Sequence, residues 1–210
     1  MSEEEQLSQI LEMQKLYTDT EKQLLEFIDI IPIDNTLDVY SPRLYSLLQF
    51  SCAQVDSLFK TICQYLNITV AKQKFPEFYK SLNVKGMLEK QEVFVFIRNE
   101  LIHPFSKTDN HLWWTAYNDT KHQLPDGIRQ GTLRNVLHAM TASYVLNNIV
   151  YLTATYAKDA DHILDAMNWK NKGWIDYSFQ NIMIMKSSGS YFPKSEFFYL
   201  NSSYSARRTD

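Results

Sequence analysis

The segment from residue 132 to about 158 limits the fold of this chain more than any other part of the sequence. At helical spacing its apolar residues cover most of the helix circumference instead of forming one narrow stripe. These residues are Leu133, Val136, Leu137, Met140, Tyr144, Val145, Ile149, Val150, Leu152 and Tyr156. Because a helix that is apolar on most sides has to be surrounded by other elements, we expect it to be the central helix of a bundle.

Three further segments predict helices that could pack around it. The first runs from Glu5 to Ile31, with apolar residues at three- and four-residue spacing and a proline after its end. The second starts after an N-cap at Ser41, has proline at its first position, and continues to about residue 67. A third, shorter helix is predicted over residues 111–123. The expected fold is therefore mainly α, a helical bundle of about four principal helices.

The segment EVFVFIRNELIHPF, residues 92–105, interrupts this helical pattern. It alternates residues that favour strands, and Pro104 pushes the preceding His103 towards extended geometry. We therefore expect a small hairpin or extended insertion near residues 90–105, with its turn at Arg98-Asn99. A helix over the same residues is the alternative.

The remaining sequence predicts one domain. A short helix is expected at residues 161–169, an extended segment from 174 onward, and a frayed polar tail from about 203. We find no internal repeat, low-complexity block or linker that would divide the chain. Residues 1–210 are therefore expected to form a single domain.

Composition restricts the classes of ligand and location. Net charge is −3, so no positive field over the whole molecule would attract nucleic acid, and an RNA site has to be a local patch. The N-terminal MSEEEQLSQ is acidic and polar, and no apolar run approaches about 18 residues, so neither secretion nor a membrane span is predicted. We expect a cytoplasmic protein.

Neither a metal nor a cofactor is predicted. Cys52 and Cys63 lie on one predicted helix about 16 Å apart, too far for a disulfide, and the histidines lack metal-ligand spacing. Glycine-rich phosphate-binding loops are also missing from the sequence.

The segment HLWWTAYNDTKHQ, residues 111–123, holds the most distinctive candidate site. At about 100° per residue, five side chains fall on one stripe about 140° wide. They are Trp114, Tyr117, Asn118, Lys121 and His122. Two interpretations stay open. The aromatic residues could be core with polar neighbours bonded to adjacent helices, or the stripe could bind a substrate by stacking and hydrogen bonds.

The pattern WWxAYNxxKH at residues 113–122, preceded by Pro104-Phe105 and followed by the long apolar helix, resembles HEPN-superfamily domains. The pattern RNxxxH at residues 98–103 is similar to the Arg and His motif that many of these domains carry. The resemblance covers roughly residues 40–158. It implies a small helical bundle, usually dimeric, of the kind found in prokaryotic toxin–antitoxin, abortive-infection and CRISPR-associated systems.

The resemblance also implies a chemistry, that of a metal-independent endoribonuclease. In such an enzyme His103 or His122 would act as the acid–base, and Arg98 or Lys121 would stabilise the phosphate, with Asn99 completing the first motif. On a helix Arg98 and His103 would lie about 140° apart, so they would converge only if Arg98 reached around or a dimer joined two copies. At the second motif, asparagine occupies position 118 where the resemblance expects arginine.

We therefore expect a HEPN-like RNA-acting domain of a prokaryotic defence or toxin–antitoxin system. Its expected partners are a second copy of itself, RNA, and an antitoxin or a nucleotidyltransferase. The alternative is a non-catalytic helical dimerisation or interaction module. A nuclease predicts a solvent-open cleft where Arg98, His103, Asn118 and His122 converge, whereas a module predicts that these side chains are buried and bonded.

Overall fold

The computed structural model describes residues 3–30, 37–95, 98, 100–109, 111–120, 126–155 and 198–200. It is mainly helical, with one small antiparallel sheet, which confirms the predicted fold class. The helices are α1 (Glu3–Ile28), α2 (Pro42–Tyr65), α3 (Phe75–Leu82), α4 (Leu112–Thr120) and α5 (Leu133–Thr155), and the strands are β1 (Val93–Val95), β2 (Glu100–Ile102) and β3 (Phe198–Leu200). In the part of the chain that is described, no helix has the length and apolar character needed to cross a membrane.

Helix α5 is the central helix, as its apolar circumference predicts. Every residue from Ala139 to Thr153 is buried, because α1 and α2 both pack against it. Several of these buried positions are polar, and their side chains bond to the helix itself: Asn147 and Asn148 donate to the carbonyls one turn earlier. Burial of polar groups is tolerated where such hydrogen bonds replace those to water.

Helix α2 starts beside the start of α5, and the two helices run in the same direction. The Ser41 side chain caps α2 by accepting a hydrogen bond from the Leu44 amide at 3.1 Å. Gly131, just before α5, lies so close to Tyr45 that a Cβ there would be 2.5 Å from the tyrosine backbone. A glycine is therefore required for the two helix starts to approach.

Helix α1 runs antiparallel to α2 along its length. Near the end of α1, Glu26 forms a 2.7 Å ion pair with Arg43 at the start of α2. Near the beginning of α1, the Gln9 side chain accepts a hydrogen bond from Tyr65, the last residue of α2. The contacts at both ends fix the alignment of α1 on the bundle.

The sheet confirms the hairpin prediction. Strand β1 pairs antiparallel with β2, with Val93 opposite Ile102 and Val95 opposite Glu100. The chain therefore turns between residues 95 and 100, which places Arg98 in the turn, in 3-10 conformation, and not on an α-helix. On its other side β1 pairs antiparallel with β3, so among the described strands β1 is the central one and β2 is an edge.

Helix α3 is an element that the sequence analysis left unassigned. Its buried Phe75, Phe78 and Leu82 recur at helical spacing, and Phe59 of α2 packs against both phenylalanine rings. The helix is only eight residues long, so it depends on this packing for stability.

Some predicted boundaries cannot be compared in full. Helix α1 ends at Ile28, three residues before the expected end. Residues 121–123 and 156–158, at the predicted ends of α4 and α5, lie outside the described residues, as do the expected helix at 161–169 and the tail from about 203. Of the extended segment expected from 174 onward, only β3 is described.

Candidate ligand-binding cleft and the hairpin motif

Within one chain, the arginine and histidine of the RNxxxH pattern lie at opposite ends of the hairpin. Arg98, in the turn, donates from Nε to Oε2 of Glu100 at 2.7 Å. His103 follows β2, and its Nδ1 lies 4.0 Å from Oε1 of Glu92 across the hairpin. Since a strand rises about 3.3 Å per residue, Glu100 and His103 are about 10 Å apart along β2.

These two side chains also differ in exposure. The Arg98 side chain is 14% exposed and that of His103 is 44% exposed. Each lies beside a carboxylate, which would compete with a phosphate for the Arg98 guanidinium and, when it is protonated, for the His103 imidazole. The structure does not describe the positions of three other predicted site residues, Asn99, Lys121 and His122.

Helix α4 has a buried side and a side that faces solvent, and the described residues of the predicted stripe lie on both. The Trp113 ring is only 2% exposed, and its Nε1–H donates to the Pro104 carbonyl at 2.9 Å. Tyr117 is buried as well, whereas Trp114 is half-buried and Asn118 is exposed. Trp113 and Tyr117 therefore hold α4 in place, and Trp114 and Asn118 face outward from it.

Trp114 and Asn118 line a cleft between α2, α3 and α4. The cleft has a volume of about 870 Å³, which is within the range of about 300–1,000 Å³ typical of small-molecule sites. Phe75, Tyr79 and His111 also line it. Because residues 114 and 118 are one helical turn apart, both side chains reach the same opening.

The wall of the cleft is aromatic. The Phe75 and Trp114 rings stack with centroids 4.5 Å apart and an interplanar angle of 20°. The His111 ring meets Phe75 edge-on at 5.2 Å and Tyr79 at 4.7 Å. Such packing holds the rings rigidly, so the wall presents a preformed apolar surface.

The rim of the cleft is polar. Gln73, Lys74 and Asn118 are exposed around it. Asp56 of α2 also lines it, and its Oδ2 pairs with Lys60 Nζ at 2.6 Å. The cleft therefore combines an apolar wall with a few directional polar groups, the combination found in binding sites for small polar ligands.

His111 adopts a backbone conformation that is rare for residues other than glycine. Its φ is +50°, in the left-handed region, which costs about 1–2 kcal/mol for a residue other than glycine. Its carbonyl accepts the first hydrogen bonds of α4, from the Trp114 and Thr115 amides at 2.8 and 3.1 Å. The ring also contacts the Phe105 carbonyl through Nε2 at 3.3 Å. These contacts hold the imidazole in the wall of the cleft.

A hydrogen-bonded network supports the cleft from behind. Tyr79 donates to the Phe105 carbonyl at 3.2 Å and accepts from Asn83 Nδ2 at 3.1 Å. Burial, and secondarily the negative charge of Glu89, raises the pKa of Tyr79. The hydrogen bond from Lys107, at 3.0 Å, is the main reason that the pKa of Glu89 is lowered.

The described residues contain no group of three or more His, Cys, Asp or Glu side chains arranged to hold a metal ion. The chemistry that the lining residues of the cleft offer is the binding of a ligand. Its rings can stack against a planar group, and its rim can donate and accept hydrogen bonds.

The sequence analysis missed Lys74, Phe75, Tyr79 and His111 as residues of this cleft. A signal for α3 existed, because Phe75, Phe78, Tyr79 and Leu82 follow helical spacing and Pro76 stands at the helix start. No comparable signal marked His111, since its place in the wall depends on a turn that only the packed structure fixes.

The fold and the site together define this protein as a mainly α bundle with an aromatic cleft. Among known proteins, no family model, curated sequence or solved structure matches this chain.

Proposed function

We propose that this chain is a HEPN-like RNA-acting domain that holds an unpaired base of single-stranded RNA in the cleft between α2, α3 and α4. One observation carries the proposal: the half-buried Trp114 ring, stacked on Phe75, lines a cleft whose rim carries Lys74, Gln73 and Asn118. Proteins bind unpaired bases with such a combination, in which an aromatic ring stacks on the base and polar or cationic groups contact its edge and the phosphate.

Local charge supports the proposal where the net charge does not. Lys72 and Lys74 are exposed on the segment that leads into α3, and Lys60 is exposed on the neighbouring face of α2. A local cationic rim of this kind can attract phosphates even though the whole chain carries −3.

The test is binding of a short, unstructured, labelled RNA, measured by fluorescence anisotropy. We expect Trp114→Ala to weaken binding by about tenfold, because base–aromatic stacking is worth about 1–3 kcal/mol. Leu112→Ala is the matched control, since Leu112 is exposed on the same helix and does not line the cleft. It should change the affinity by less than about twofold. Equal losses in both variants, or no binding by the unchanged protein, would contradict the proposal.

The proposal extends to metal-independent RNA cleavage, with His103 or His122 as the acid–base and Arg98 or Lys121 as the phosphate partner. Because Arg98 and His103 lie at opposite ends of the hairpin, cleavage by this pair needs a second copy of the chain. It is tested by single-turnover cleavage of RNA in EDTA, comparing folded His103→Ala and His122→Ala variants. Loss in one variant alone identifies the acid–base, and no cleavage by the unchanged protein removes this extension.

A second function, self-association, is favoured by the edge position of β2. Among the described strands β2 pairs on one side only, and its Leu101 is 44% exposed. An antiparallel pair of β2 strands centred on Leu101 would place the Arg98 end of one copy beside the His103 end of its partner. Leu101→Glu should then convert a dimer to a monomer in sedimentation experiments. An unchanged sedimentation coefficient would exclude this edge as the contact.

We also propose a cytoplasmic location and a role in prokaryotic defence or toxin–antitoxin function, with an antitoxin or nucleotidyltransferase as partner. The location is supported by Cys52 and Cys63, which are both buried in α2 and form no disulfide, as expected for a chain that folds in a reducing compartment. The role rests on the HEPN resemblance. Co-purification with the product of a neighbouring gene tests it.

A further inference from the structure

An ion pair lies at the margin of the cleft. The Asp56 carboxylate lines the cleft, and its Oδ2 accepts from Nζ of Lys60, one turn later in α2, at 2.6 Å. Because this short distance joins the two atoms, the Lys60 ammonium lies beside the cleft. The Asp56 and Lys60 side chains are 30% and 46% exposed, so water and solutes reach both partners.

A second lysine lies in the same part of the cleft. Lys74 immediately precedes Phe75, and the Phe75 ring meets the Phe59 ring edge-on with centroids 5.6 Å apart. Phe59 in turn immediately precedes Lys60 in α2. The two lysines are therefore next in sequence to two rings in direct contact, which brings Lys60, Asp56 and Lys74 to one part of the margin.

The carboxylate affects how a phosphate could bind at this margin. A phosphate and Asp56 carry the same sign of charge and would compete for the Lys60 ammonium, which binds either of them as a point charge. Exposed ion pairs of this kind contribute little to stability, so the contact between Asp56 and Lys60 is easily replaced. A backbone phosphate of RNA can therefore take the place of the carboxylate on Lys60, with Lys74 close by for a further contact.

We propose that Lys60 and Lys74 hold backbone phosphates of the RNA, and that Asp56 is an internal competitor whose carboxylate leaves Lys60 when a phosphate binds. This inference rests on the proposed RNA function and deepens it, because it names the phosphate contacts and the residue that limits the affinity. In the free chain Asp56 keeps Lys60 occupied, so RNA binds more weakly than the two lysines alone would allow.

The phosphate contacts are tested by the salt dependence of RNA affinity, measured by fluorescence anisotropy with a labelled single-stranded RNA. Each neutralised phosphate contributes about 0.7 to the slope of the logarithm of affinity against the logarithm of salt concentration. Lys60→Gln and Lys74→Gln should each reduce the slope by about this amount. Lys80→Gln is the matched control and should leave the slope unchanged, because Lys80 is an exposed lysine of α3 that does not line the cleft.

Removal of the competitor should tighten RNA binding. Asp56→Asn should raise the affinity by about three- to fivefold, close to the most that an exposed ion pair is worth. Glu26→Gln is the matched control, since it also removes one negative charge and breaks an ion pair, the one with Arg43. Arg43 lies about 25 Å from Lys60 along α2, far beyond the screening length of about 8 Å, so this control should change the affinity by less than about twofold. An affinity that Asp56→Asn leaves unchanged or lowers overturns the competition.

Exchange is distinguished from simple repulsion by combining the two variants. If the carboxylate has to leave Lys60, Lys60→Gln should weaken binding by about twofold in the unchanged chain and by about tenfold in the Asp56→Asn chain. The difference arises because the lysine of the Asp56→Asn chain has no ion pair with residue 56 that binding must break. Equal losses in the two chains would show that Asp56 only repels the RNA, and that the proposed exchange is wrong.

The outcomes separate this inference from the RNA function. Binding that depends on Trp114, together with salt slopes that Lys60→Gln and Lys74→Gln leave unchanged, overturns the inference and leaves the function standing. Absence of RNA binding by the unchanged protein overturns both. Thermal unfolding of each variant, expected to match the unchanged protein because the substituted side chains are at the surface, confirms that the comparison is between folded proteins.

Discussion

The hairpin and helix α4 both carry candidate site residues four or five positions apart, but only α4 brings them to one site. Trp114 and Asn118 line the same cleft because a helix rises about 1.5 Å per residue and returns to the same face after one turn. Arg98 and His103 are separated along the hairpin because a strand rises more than twice as much per residue. The spacing of a motif therefore has meaning only once its secondary structure is known.

The two regions also differ in what surrounds their polar groups. In the hairpin, Arg98 and His103 each lie beside a glutamate side chain. In the cleft, the polar rim stands beside a wall of stacked rings. We infer that the hairpin is held together partly by its charges, whereas the cleft depends on aromatic packing.

The largest expected effect is on the free energy of unfolding, and it should differ between the two tryptophans of α4. Trp113→Ala should lower the free energy of unfolding by about 3–5 kcal/mol, because it empties a fully buried site and orphans the Pro104 carbonyl. Trp114→Ala should cost less than half as much, since that ring is half-buried. Urea unfolding followed by circular dichroism measures both. Similar losses would show that the wall of the cleft is as much core as Trp113.

The next largest effect on the free energy of unfolding is expected from the hydrogen-bonded network behind the cleft. Asn83 accepts hydrogen bonds from the Leu88 and Glu89 amides and donates to Tyr79. Asn83→Ala removes all three and should cost about 1–3 kcal/mol of unfolding free energy. Asn83→Asp keeps an acceptor for the two amides and should cost less than the alanine variant. If the two variants lose equally, the amide contacts contribute little.

A smaller effect is expected in the hairpin. A double-mutant cycle with Arg98→Ala and Glu100→Ala should give a coupling energy of about 1 kcal/mol or less, because the pair is only partly removed from water. The His103 and Glu92 pair, at 4.0 Å and more exposed, should give a smaller coupling. A larger value for the second pair would reverse our view of which charges hold the hairpin.

The smallest effect is a pH dependence at the cleft. Because the pKa of Tyr79 is raised in the folded chain, the stability that its neutral form contributes is complete below its usual pKa of 10.0 and is lost as pH rises through the folded value. The advantage in Tm of the unchanged protein over Tyr79→Phe should therefore shrink as pH rises above about 10. A constant difference across this range would mean that Tyr79 titrates normally.

Much of the fold could be predicted because its signals are local. The apolar circumference of α5, the Ser41-Pro42 start of α2 and the alternation around residues 93–102 each reflect the periodicity of one element. Helix α3 was left unassigned because eight residues give a weak periodic signal. At α4 the stripe was identified, but its division into core and cleft was not, because both kinds of position carry aromatic residues.

The sequence by itself determined the mainly α architecture, the central place of α5 and the hairpin, since periodicity and turn chemistry act between near neighbours along the chain. Only the tertiary structure decided that Phe75, from a segment with no clear assignment, stacks on Trp114, and that His111 is held in a left-handed conformation beside them. The physical reason is that a cleft is made by side chains from separate elements, and their meeting depends on how whole helices pack.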